Sequence, residues 1–306
     1  MTAVVVAGPT GSGKSELALG IALARGGEIV NYDSMQIYRG FDIGTAKPPE
    51  SDRRAVPHHL FDFVDAGHEL NAADYARVVR PLIAAIESRR RLPILAGGTF
   101  FYLRAILSGL PEMPGRDEAL RSRIRRIAHT DRGPARLHRW LERIDAITAS
   151  RIPPTDRHRV ERALEVWMTT HRPISSWERP GGEATAEMPA VKIALRVDRA
   201  RLGERLDARV DAMYRSGLVE ETRALLERFP STARPFGSIG YREAAAVVAG
   251  QLGLEPAIAE TKRRTRAYAK RQMTWLRSER NVHWIDATTS ESNVAAALRL
   301  LREARV

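Results

Sequence analysis

The sequence predicts an α/β fold in which a parallel β-sheet core, flanked by helices, is interrupted by an all-helical insertion domain. Short apolar runs alternate with helical patterns in the first third of the chain, and another such run occurs at residues 191–195. Between them, residues 113–187 show helical patterns and no strand. Unbroken apolar runs are typical of parallel strands that are buried on both faces. We therefore expect a core domain from residues 1–112 and 188–306 and an insertion domain at residues 113–187.

The core begins with strands and helices in alternation. The predicted strands cover residues 3–7, 28–32 and 92–96. Apolar side chains at helical spacing predict a helix over residues 14–25 and a long amphipathic helix over residues 71–90. Asn71 stands where an N-cap is expected, because its side chain can accept a hydrogen bond from the first turn. After residue 195 the patterns predict helices only.

The insertion domain is rich in arginine. Its predicted helices cover residues 117–129, 134–147 and 156–170. A loop rich in Pro, Gly and Glu follows over residues 172–189. Such a loop marks the return of the chain to the core.

The composition excludes several classes of protein. The chain has 306 residues, of which 43% are hydrophobic, so it can bury the core of one large domain or two modest ones. It has no cysteine, which excludes disulfides and zinc–cysteine sites, and His58 and His59 lack further ligands at zinc-site spacing, so we expect them to be structural. No apolar run reaches the roughly 18–20 residues that span a bilayer, and the first residues already form a strand pattern. We therefore expect a cytoplasmic protein without a membrane partner.

The chain is strongly basic, with 49 Lys and Arg against 37 Asp and Glu and a formal net charge of +12. Such a charge favours a polyanion such as nucleic acid as the partner, with an arginine-rich genomic composition as the alternative. A predicted helix over residues 261–277 favours nucleic acid. Its Lys and Arg recur on one face beside Tyr268 and Trp275, and no acid follows before Glu279. A solvated charged face is the other interpretation of this helix, and residues 156–162 begin a second basic helix.

Residues 8–15, GPTGSGKS, form a phosphate-binding loop. The motif GxxxxGK(S/T) follows a strand and precedes a helix, which is the context that it requires. Its glycines let backbone N–H groups converge on phosphate oxygens, the helix N-terminus adds partial positive charge, and Ser15 can bind Mg²⁺. The residues predicted to hold a diphosphate are Gly8, Thr10, Gly11, Ser12, Gly13, Lys14 and Ser15. The core is therefore predicted to be of the P-loop type.

The acidic residue at a strand end near this loop is Asp33. A P-loop ATPase usually carries an acid at another strand end, where it holds the metal and activates water. Here the strand over residues 92–96 is followed instead by Gly97-Gly98-Thr99. The spacing alone leaves three roles open for Asp33: a metal ligand, a general base and a turn cap.

Taken together, these motifs make the chain similar, essentially from end to end, to the bacterial tRNA dimethylallyltransferases, also called tRNA isopentenyltransferases. The segments that carry the resemblance are residues 8–15, 33–40, 42–48, 57–60, 97–102, 156–165, 239–243 and 270–277. No cysteine–histidine finger follows the core, unlike in eukaryotic relatives, so the chain resembles the short bacterial type. Gly237 stands where some relatives carry a charged residue.

The resemblance implies a prenyl transfer. The P-loop and Mg²⁺ would hold dimethylallyl diphosphate, the N6 amine of adenosine-37 beside the anticodon would attack the allylic C1 carbon, and pyrophosphate would leave. In this family the Asp that matches Asp33 is the general base and the Thr that matches Thr99 binds the diphosphate side, so both are implied to be catalytic. The target base would be flipped out to reach the site. The family expectation is a monomer.

The resemblance also assigns the contacts with the anticodon stem-loop of tRNA. The residues implied to bind tRNA are Asp33, Ser34, Met35, Gln36, Thr99, Arg121, His158, Arg159, Val160, Glu161, Arg162, Gly237, Ser238, Ile239, Gly240, Tyr241, Arg242, Lys270, Arg271, Gln272, Met273, Thr274, Trp275, Leu276 and Arg277. Because they come from the core and from the insertion, both domains are expected to contact the nucleic acid.

Other functions are open at this point. Prenylation of free adenine nucleotides is disfavoured, because a small acceptor would not need the basic helix or the arginine-rich insertion. A P-loop ATPase or kinase acting on RNA is disfavoured by the missing acidic strand end. A non-catalytic RNA-binding protein is disfavoured by the intact phosphate loop.

Overall fold

The computed structural model of the protein describes residues 2–111, 113–177 and 187–306. The chain divides into two compact units, here called the core unit (Met1–Ser108 with Glu187–Val306) and the insertion unit (Gly109–Ala186). In the described part of the chain, no helix has the length and apolar character needed to cross a membrane.

The core unit is built on one parallel sheet. Among the described residues its strands are β1 (Ala3–Ala7), β2 (Gly27–Asn31), β3 (His58–His59), β4 (Leu92–Ala96), β5 (Ala190–Arg196) and β6 (Val282–Asp286). They lie in the order β3-β2-β4-β1-β5-β6, and every neighbouring pair is parallel. β1, β2 and β4 are buried along their whole length, as expected for apolar strands in a covered sheet. The predicted α/β fold is therefore confirmed.

Helices flank the sheet and make up the insertion unit. In the described residues they are α1 (Lys14–Arg25), α2 (Glu50–Ala55), α3 (Ala72–Ser88), α4 (Phe100–Ser108), α5 (Glu118–Ala128), α6 (Gly133–Ile144), α7 (Ala146–Ala149), α8 (Arg157–Thr170), α9 (Arg199–Arg215), α10 (Leu218–Arg228), α11 (Tyr241–Val248), α12 (Leu254–Ser278) and α13 (Ser290–Glu303). Asn71 caps α3 as predicted, because its side chain accepts hydrogen bonds of 2.9 Å from the N–H groups of Ala73 and Asp74.

The order of the strands brings three loops to one edge of the sheet. β4 lies between β1 and β2 and pairs with both. Since the three strands run in the same direction, the loops that follow them meet at the carboxyl edge. This edge is where open α/β sheets bind their ligands.

The sequence did not predict two of the strands, β3 and β6. For β6 the reason is that only helices were predicted after residue 195. β6 is an edge strand beside β5 and fully buries only Ile285, so its residues do not form an apolar run. β3 is two residues long, too short for a periodic pattern. β2 begins and ends one residue earlier than predicted. The histidines of β3 make local contacts, His58 with the Val56 carbonyl and His59 with the Glu28 carboxylate.

The insertion unit has a hydrophobic core of its own, in which Leu137, Leu141 and Leu164 are buried. The helix predicted over residues 134–147 ends at Ile144 instead. It ends there because Asp145 caps the next helix, α7. The buried Asp145 carboxylate accepts hydrogen bonds from the N–H and the hydroxyl of Thr148. Half of the loop predicted over residues 172–189 lies outside the described residues.

A buried ion-pair cluster joins α5 to α8. The Glu165 carboxylate accepts two hydrogen bonds of 2.9 Å from Arg121, one of 2.7 Å from Arg162 and one of 2.7 Å from the Asp117 N–H. Burial alone would raise the pKa of Glu165, but these donors outweigh it and lower the pKa from 4.5 to about 2.

We expect this cluster to make the protein sensitive to acid. A carboxylate whose pKa is lower in the folded state stabilises the fold above its unfolded pKa, and that stability is lost as the pH falls. Glu165 should therefore contribute about 3 kcal/mol to the free energy of unfolding at neutral pH, and this contribution should disappear between pH 4.5 and about 2. Urea unfolding at several pH values, followed by the fluorescence of Trp140 and Trp167, measures it.

Glu165→Gln should lower the stability at pH 7 by about 3–5 kcal/mol, because it leaves Arg121 and Arg162 without their carboxylate. It should also flatten the pH dependence below pH 4.5. Glu118→Gln is the matched control, since Glu118 is an exposed partner of Arg125 and should contribute little. An unchanged acid profile in Glu165→Gln would contradict the prediction.

Candidate active site

The phosphate-binding loop lies between β1 and α1. Gly11 and Gly13 have φ angles of +77° and +91°, which residues with a side chain rarely adopt. Gly13 caps α1 without a side-chain hydrogen bond, so the N–H groups of the first turn stay available to an anion. Ser12 is buried, and its Oγ has no hydrogen-bond partner among the described residues. The loop therefore keeps unused donors, as a phosphate site requires.

Asp33 is held in a fixed turn after β2. Its N–H donates to the Asn31 Oδ1 at 2.8 Å, and the buried Asn31 amide donates back to the Asp33 carbonyl at 3.3 Å. The Asp33 Oδ1 accepts a hydrogen bond of 2.9 Å from the Met35 N–H. The Asp33 Oδ2 lies so close to Gly98 that a Cβ there would be 2.9 Å from it. Oδ1 thus caps the turn, and Oδ2 stays available as a base or a ligand.

The turn after β4 packs directly against Asp33. A Cβ on Gly97 would lie 2.7 Å from the Asp33 nitrogen, so only glycine allows this approach. The Thr99 hydroxyl accepts a hydrogen bond of 3.0 Å from the Ser34 N–H and donates one of 3.1 Å to the Ser34 Oγ. Thr99 therefore holds the turn that carries the carboxylate.

Lys14 and Arg209 bring positive charge to the same cavity. Burial first, and then the charge of Arg209, lower the pKa of Lys14 to about 8, and the charge of Asp33 opposes both effects. Arg209 lies on α9, and burial lowers its pKa as well. The charge of Asp33 again opposes this shift. Burial removes water from both cations, and their like charges repel each other. A protein that nevertheless holds two cations in one cavity offers a site for an anion.

A loop over residues 42–47 forms another wall of the cavity and is held by α10 and α11. Tyr241 is fully buried, and its hydroxyl accepts a hydrogen bond of 3.2 Å from the Gly44 N–H and donates to Glu221. Glu221 accepts a further bond of 3.1 Å from the Ile43 N–H. The ring of Tyr241 packs on Gly44, where a Cβ would lie 2.4 Å from it.

The end of this loop is fixed by a buried ammonium group. Lys47 donates hydrogen bonds of 2.6 Å to the Tyr38 carbonyl and the Asp42 carboxylate, and it pairs with Asp62. The Gln36 side chain donates to two further carbonyls of the loop at 3.0 and 3.1 Å. The wall is therefore rigidly tied to the Asp33 turn.

These groups line one cavity in the core unit. Its polar lining includes Thr10, Lys14, Ser15, Asp33, Gln36, Arg209, Tyr268 and Gln272. A phosphate loop, two cations and a carboxylate in one cavity can hold an anionic donor and accept a proton from a nucleophile.

Sequence comparisons place the chain among enzymes of one kind. The model of the IPP transferase family matches residues 36–279. The tRNA dimethylallyltransferase of Solibacter usitatus is 50% identical over 286 residues, which cover 93% of this chain and 92% of the relative. This chain belongs to the IPP transferase family. The tRNA dimethylallyltransferase of Geobacter metallireducens is 46% identical over 92% of both chains.

Solved structures agree with the fold of this IPP transferase. The tRNA isopentenylpyrophosphate transferase of Bacillus halodurans has a TM-score of 0.72 and 34% identity, covering 98% of this chain and 95% of its own. A eukaryotic dimethylallyltransferase, solved acting on tRNA, has a TM-score of 0.79 and 28% identity, covering 98% of this chain and 77% of its own. The family resemblance and the P-loop-type fold expected from the sequence are confirmed.

The residues of this IPP transferase for which tRNA contact was predicted differ in exposure. The exposed ones are His158, Arg159, Gly237, Arg242, Lys270, Arg271, Thr274 and Arg277. Those of intermediate exposure are Asp33, Ser34, Met35, Gln36, Thr99, Arg121, Arg162, Ser238, Ile239, Met273 and Trp275. The buried ones are Val160, Glu161, Gly240, Tyr241, Gln272 and Leu276.

Several of these side chains bind partners inside the protein instead of facing solvent. Arg121 is paired with Glu165, Val160 packs in the core of the insertion unit, and Gln272 bonds to backbone groups of the cavity. A contact of these three side chains with tRNA would have to replace the partners that they have in this structure. Contact with tRNA stays a prediction for every residue of the set.

The basic face of α12 is only partly free. The helix predicted over residues 261–277 contains no acid, but α12 begins earlier, at Leu254, and includes Glu260. Glu260 and acids of other helices neutralise the cations at residues 262–266. The ion pairs are Lys262–Asp211, Arg263–Glu260, Arg264–Glu243 and Arg266–Asp207. Lys270, Arg271 and Arg277 are exposed, and no ion pair joins them to an acid in the described part of the chain. The charge available to a polyanion therefore lies in the second half of α12.

Arg209, Lys47 and Glu221 were not found by sequence analysis. Arg209 is one of 49 Lys and Arg residues and lies on an amphipathic helix like many others. The partners of Lys47 and Glu221 are tertiary contacts, which no local pattern reports.

We expect the affinity for inorganic pyrophosphate to depend on the charge of Lys14. Lys14 is protonated below its pKa of about 8 and neutral above it, so its contribution to binding should be lost as the pH rises through about 8. The bound anion should raise the pKa of Lys14, so binding near this pH should take up a proton. Isothermal titration calorimetry in two buffers of different ionisation enthalpy measures both effects.

Lys14→Arg is the matched control, because its guanidinium stays charged across this range while the titration of pyrophosphate itself is unchanged. Arg209→Gln should move the midpoint to higher pH, since it removes a charge that lowers the pKa of Lys14. Equal pH profiles for wild type and Lys14→Arg would show that the prediction is wrong.

Proposed function

We propose that this IPP transferase moves a dimethylallyl group from dimethylallyl diphosphate to N6 of adenosine-37 in tRNA, forming N6-dimethylallyladenosine and releasing pyrophosphate. The observation that carries the proposal is the cavity that joins the phosphate loop, Lys14 and Arg209 to the carboxylate of Asp33. The relatives reported above are tRNA dimethylallyltransferases, which supports this donor and this acceptor.

Asp33 is proposed as the general base. The N6 amine of adenine is a weak nucleophile, because its lone pair is delocalised into the ring. As the N6–C1 bond forms and the C1–O bond of the donor breaks, one N6 proton passes to Asp33 Oδ2 and the bonding electrons leave with pyrophosphate. Oδ1 keeps its bond to the Met35 N–H, so the carboxylate holds its orientation during the transfer.

The phosphate loop is proposed to stabilise the leaving group. Negative charge builds up on pyrophosphate in the transition state, and Lys14, Arg209 and the N–H groups of the first turn of α1 are fixed where it develops. Thr99 keeps Ser34 and the Asp33 turn in place, and we propose that it contributes to the diphosphate side of the site. The carboxylate that a P-loop ATPase uses to activate water is replaced here by Gly97-Gly98-Thr99.

The site has donors suited to Mg²⁺. Ser15 lines the cavity at the first turn of α1, and Mg²⁺ takes oxygen ligands, among them the phosphates of a substrate. When bound, Mg²⁺ would neutralise part of the charge on the diphosphate. We propose Ser15 as its protein ligand.

tRNA is proposed to bind through exposed cations of both units. In the core unit these are Lys270, Arg271 and Arg277 on α12, and in the insertion unit they are Arg157 and Arg159 at the start of α8. Contacts with phosphates can offset the roughly few kcal/mol needed to flip adenosine-37 out of the loop. We propose the insertion unit as a tRNA-binding domain on this basis.

A transfer assay tests the proposal. Labelled dimethylallyl diphosphate and Mg²⁺ are incubated with the protein and with unmodified tRNA or AMP, and label is expected in tRNA at adenosine-37. Asp33→Asn keeps the oxygen that caps the turn but cannot take the proton, so kcat should fall by about 10²–10⁴-fold. The Kd for tRNA, measured by filter binding, should stay within about twofold. Label in AMP, or ATP hydrolysis without transfer, would refute the function, and an active Asp33→Asn would refute the base.

We expect the second half of α12 to set the salt dependence of tRNA binding. Lys270→Ala with Arg271→Ala should weaken binding and lower the slope of log K against log salt by about 1–2, because each lost phosphate contact releases one counterion fewer. Arg263→Ala is the matched control, since Arg263 is exposed but paired with Glu260 and should change the slope less. A slope equal to that of wild type in the double variant would show that this face does not contact phosphates.

A further inference from the structure

Gln272 connects three motifs that lie far apart in the sequence. Its Oε1 accepts a hydrogen bond of 2.8 Å from the Thr10 N–H, and its Nε2 donates one of 2.9 Å to the Gly98 carbonyl. The Tyr268 hydroxyl, one turn earlier on α12, donates to the same carbonyl at 3.0 Å. Gln272 is 4% exposed, so water does not replace these bonds. Helix α12, the phosphate loop and the turn after β4 are therefore fastened at one amide.

The orientation of this amide is determined by its partners. Oε1 faces an N–H group and Nε2 faces a carbonyl, so a flipped amide would place a donor against a donor and an acceptor against an acceptor. Both partners, the Thr10 N–H and the Gly98 carbonyl, are backbone groups of loops, so no helical or strand hydrogen bonds fix their positions. A buried side chain that satisfies both fixes the spacing between them.

The spacing between the Thr10 N–H and the Gly98 carbonyl bears directly on the proposed reaction. Thr10 belongs to the loop that holds the diphosphate, and Gly98 lies against the Asp33 carboxylate. A Cβ on Gly98 would be 2.8 Å from the Gln272 Nε2 and 2.9 Å from the Asp33 Oδ2, so the amide and the carboxylate flank the same glycine. Any shift of the phosphate loop away from Gln272 would change the distance from the bound donor to the base.

We infer that Gln272 is a positioning residue, which fixes the diphosphate loop relative to Asp33 and links both to the helix that carries the tRNA-facing cations. The inference rests on the proposed function. Gln272 acts through the Thr10 N–H and the Gly98 carbonyl and needs no contact with tRNA. It differs from its neighbours Lys270 and Arg271, whose exposed side chains serve affinity for the nucleic acid.

Gln272→Met tests the inference, because methionine keeps the length of the side chain and removes both hydrogen bonds. We expect kcat for tRNA prenylation to fall about 10- to 100-fold, since a displacement of about 1 Å has this effect. The Kd for inorganic pyrophosphate with Mg²⁺ should rise about threefold or more, because the loop loses a bond that holds it. The Kd for unmodified tRNA should stay within about twofold, which a direct tRNA contact would not allow.

Thr261→Val is the matched control on the same helix. Thr261 is 1% exposed and its hydroxyl bonds to the Tyr214 hydroxyl at 2.9 Å, away from the cavity, so it should change thermal stability without changing kcat. Gln272→Asn, one methylene shorter and still polar, should reproduce the loss of kcat and provides a second variant if Gln272→Met does not fold.

An unchanged kcat in both Gln272 variants, or a rise in the tRNA Kd that accounts for the whole effect, would overturn the inference. Failure of the proposed function looks different. In that case wild type itself would transfer no label to tRNA, while the pyrophosphate measurement would still report whether Gln272 holds the loop.

Discussion

The site depends on the close packing of a glycine turn against a carboxylate. Gly97 and Gly98 follow β4, which lies between the strands that lead to the phosphate loop and to Asp33. Side chains at these two positions would collide with the Asp33 nitrogen and Oδ2. Because both residues are glycines, the three loops approach closely enough for the phosphate loop and the Asp33 carboxylate to line one cavity. The strand order brings the loops to one edge, and the glycines remove the last obstacle.

The electrostatics of the cavity show a similar dependence on the fold. Lys14 and Arg209 repel each other and are partly desolvated, so the charged form of Lys14 is less favourable than in water. Asp33 opposes this effect and helps to keep both cations in place. The charges of such a cluster are fixed before a substrate binds. Desolvation and mutual repulsion of the two cations cost free energy, and this cost is recovered when a negative charge enters the cavity. In the proposed reaction this charge grows on the leaving pyrophosphate, which would favour the transition state over the bound donor.

The sequence predicted the features that depend on residues close together in the chain. β1, β4, α1 and the Asn71 cap were predicted with correct or nearly correct bounds, because apolar runs, the P-loop motif and capping are local. β6 was missed, since a five-residue edge strand in which only Ile285 is fully buried has no apolar run that distinguishes it from a loop. The candidate site was predicted through its motifs, Lys14, Asp33 and Thr99.

Residues whose importance comes from a distant partner were not predicted. Arg209 acts in the site only because α9 packs near the phosphate loop, and the acids that neutralise Arg264 and Arg266 lie on other helices. The sequence therefore overstated the free charge of α12, and it did not reveal that Gln272, for which the family resemblance implies tRNA contact, has partners inside the core unit. Such omissions are expected wherever a helix has two faces with different partners, since spacing along the chain does not reveal what each face contacts.

Helix α12 shows what two such faces can do. Tyr268, Gln272 and Leu276 repeat every four residues and point into the core unit, where the first two bond to the Gly98 carbonyl. Lys270, Thr274 and Arg277 lie on the opposite side and are exposed. A substitution on the outer face changes a charge that water already solvates, whereas one on the inner face leaves backbone groups of the cavity without partners. We therefore propose that the outer face controls how strongly the acceptor binds and that the inner face controls the geometry in which it reacts.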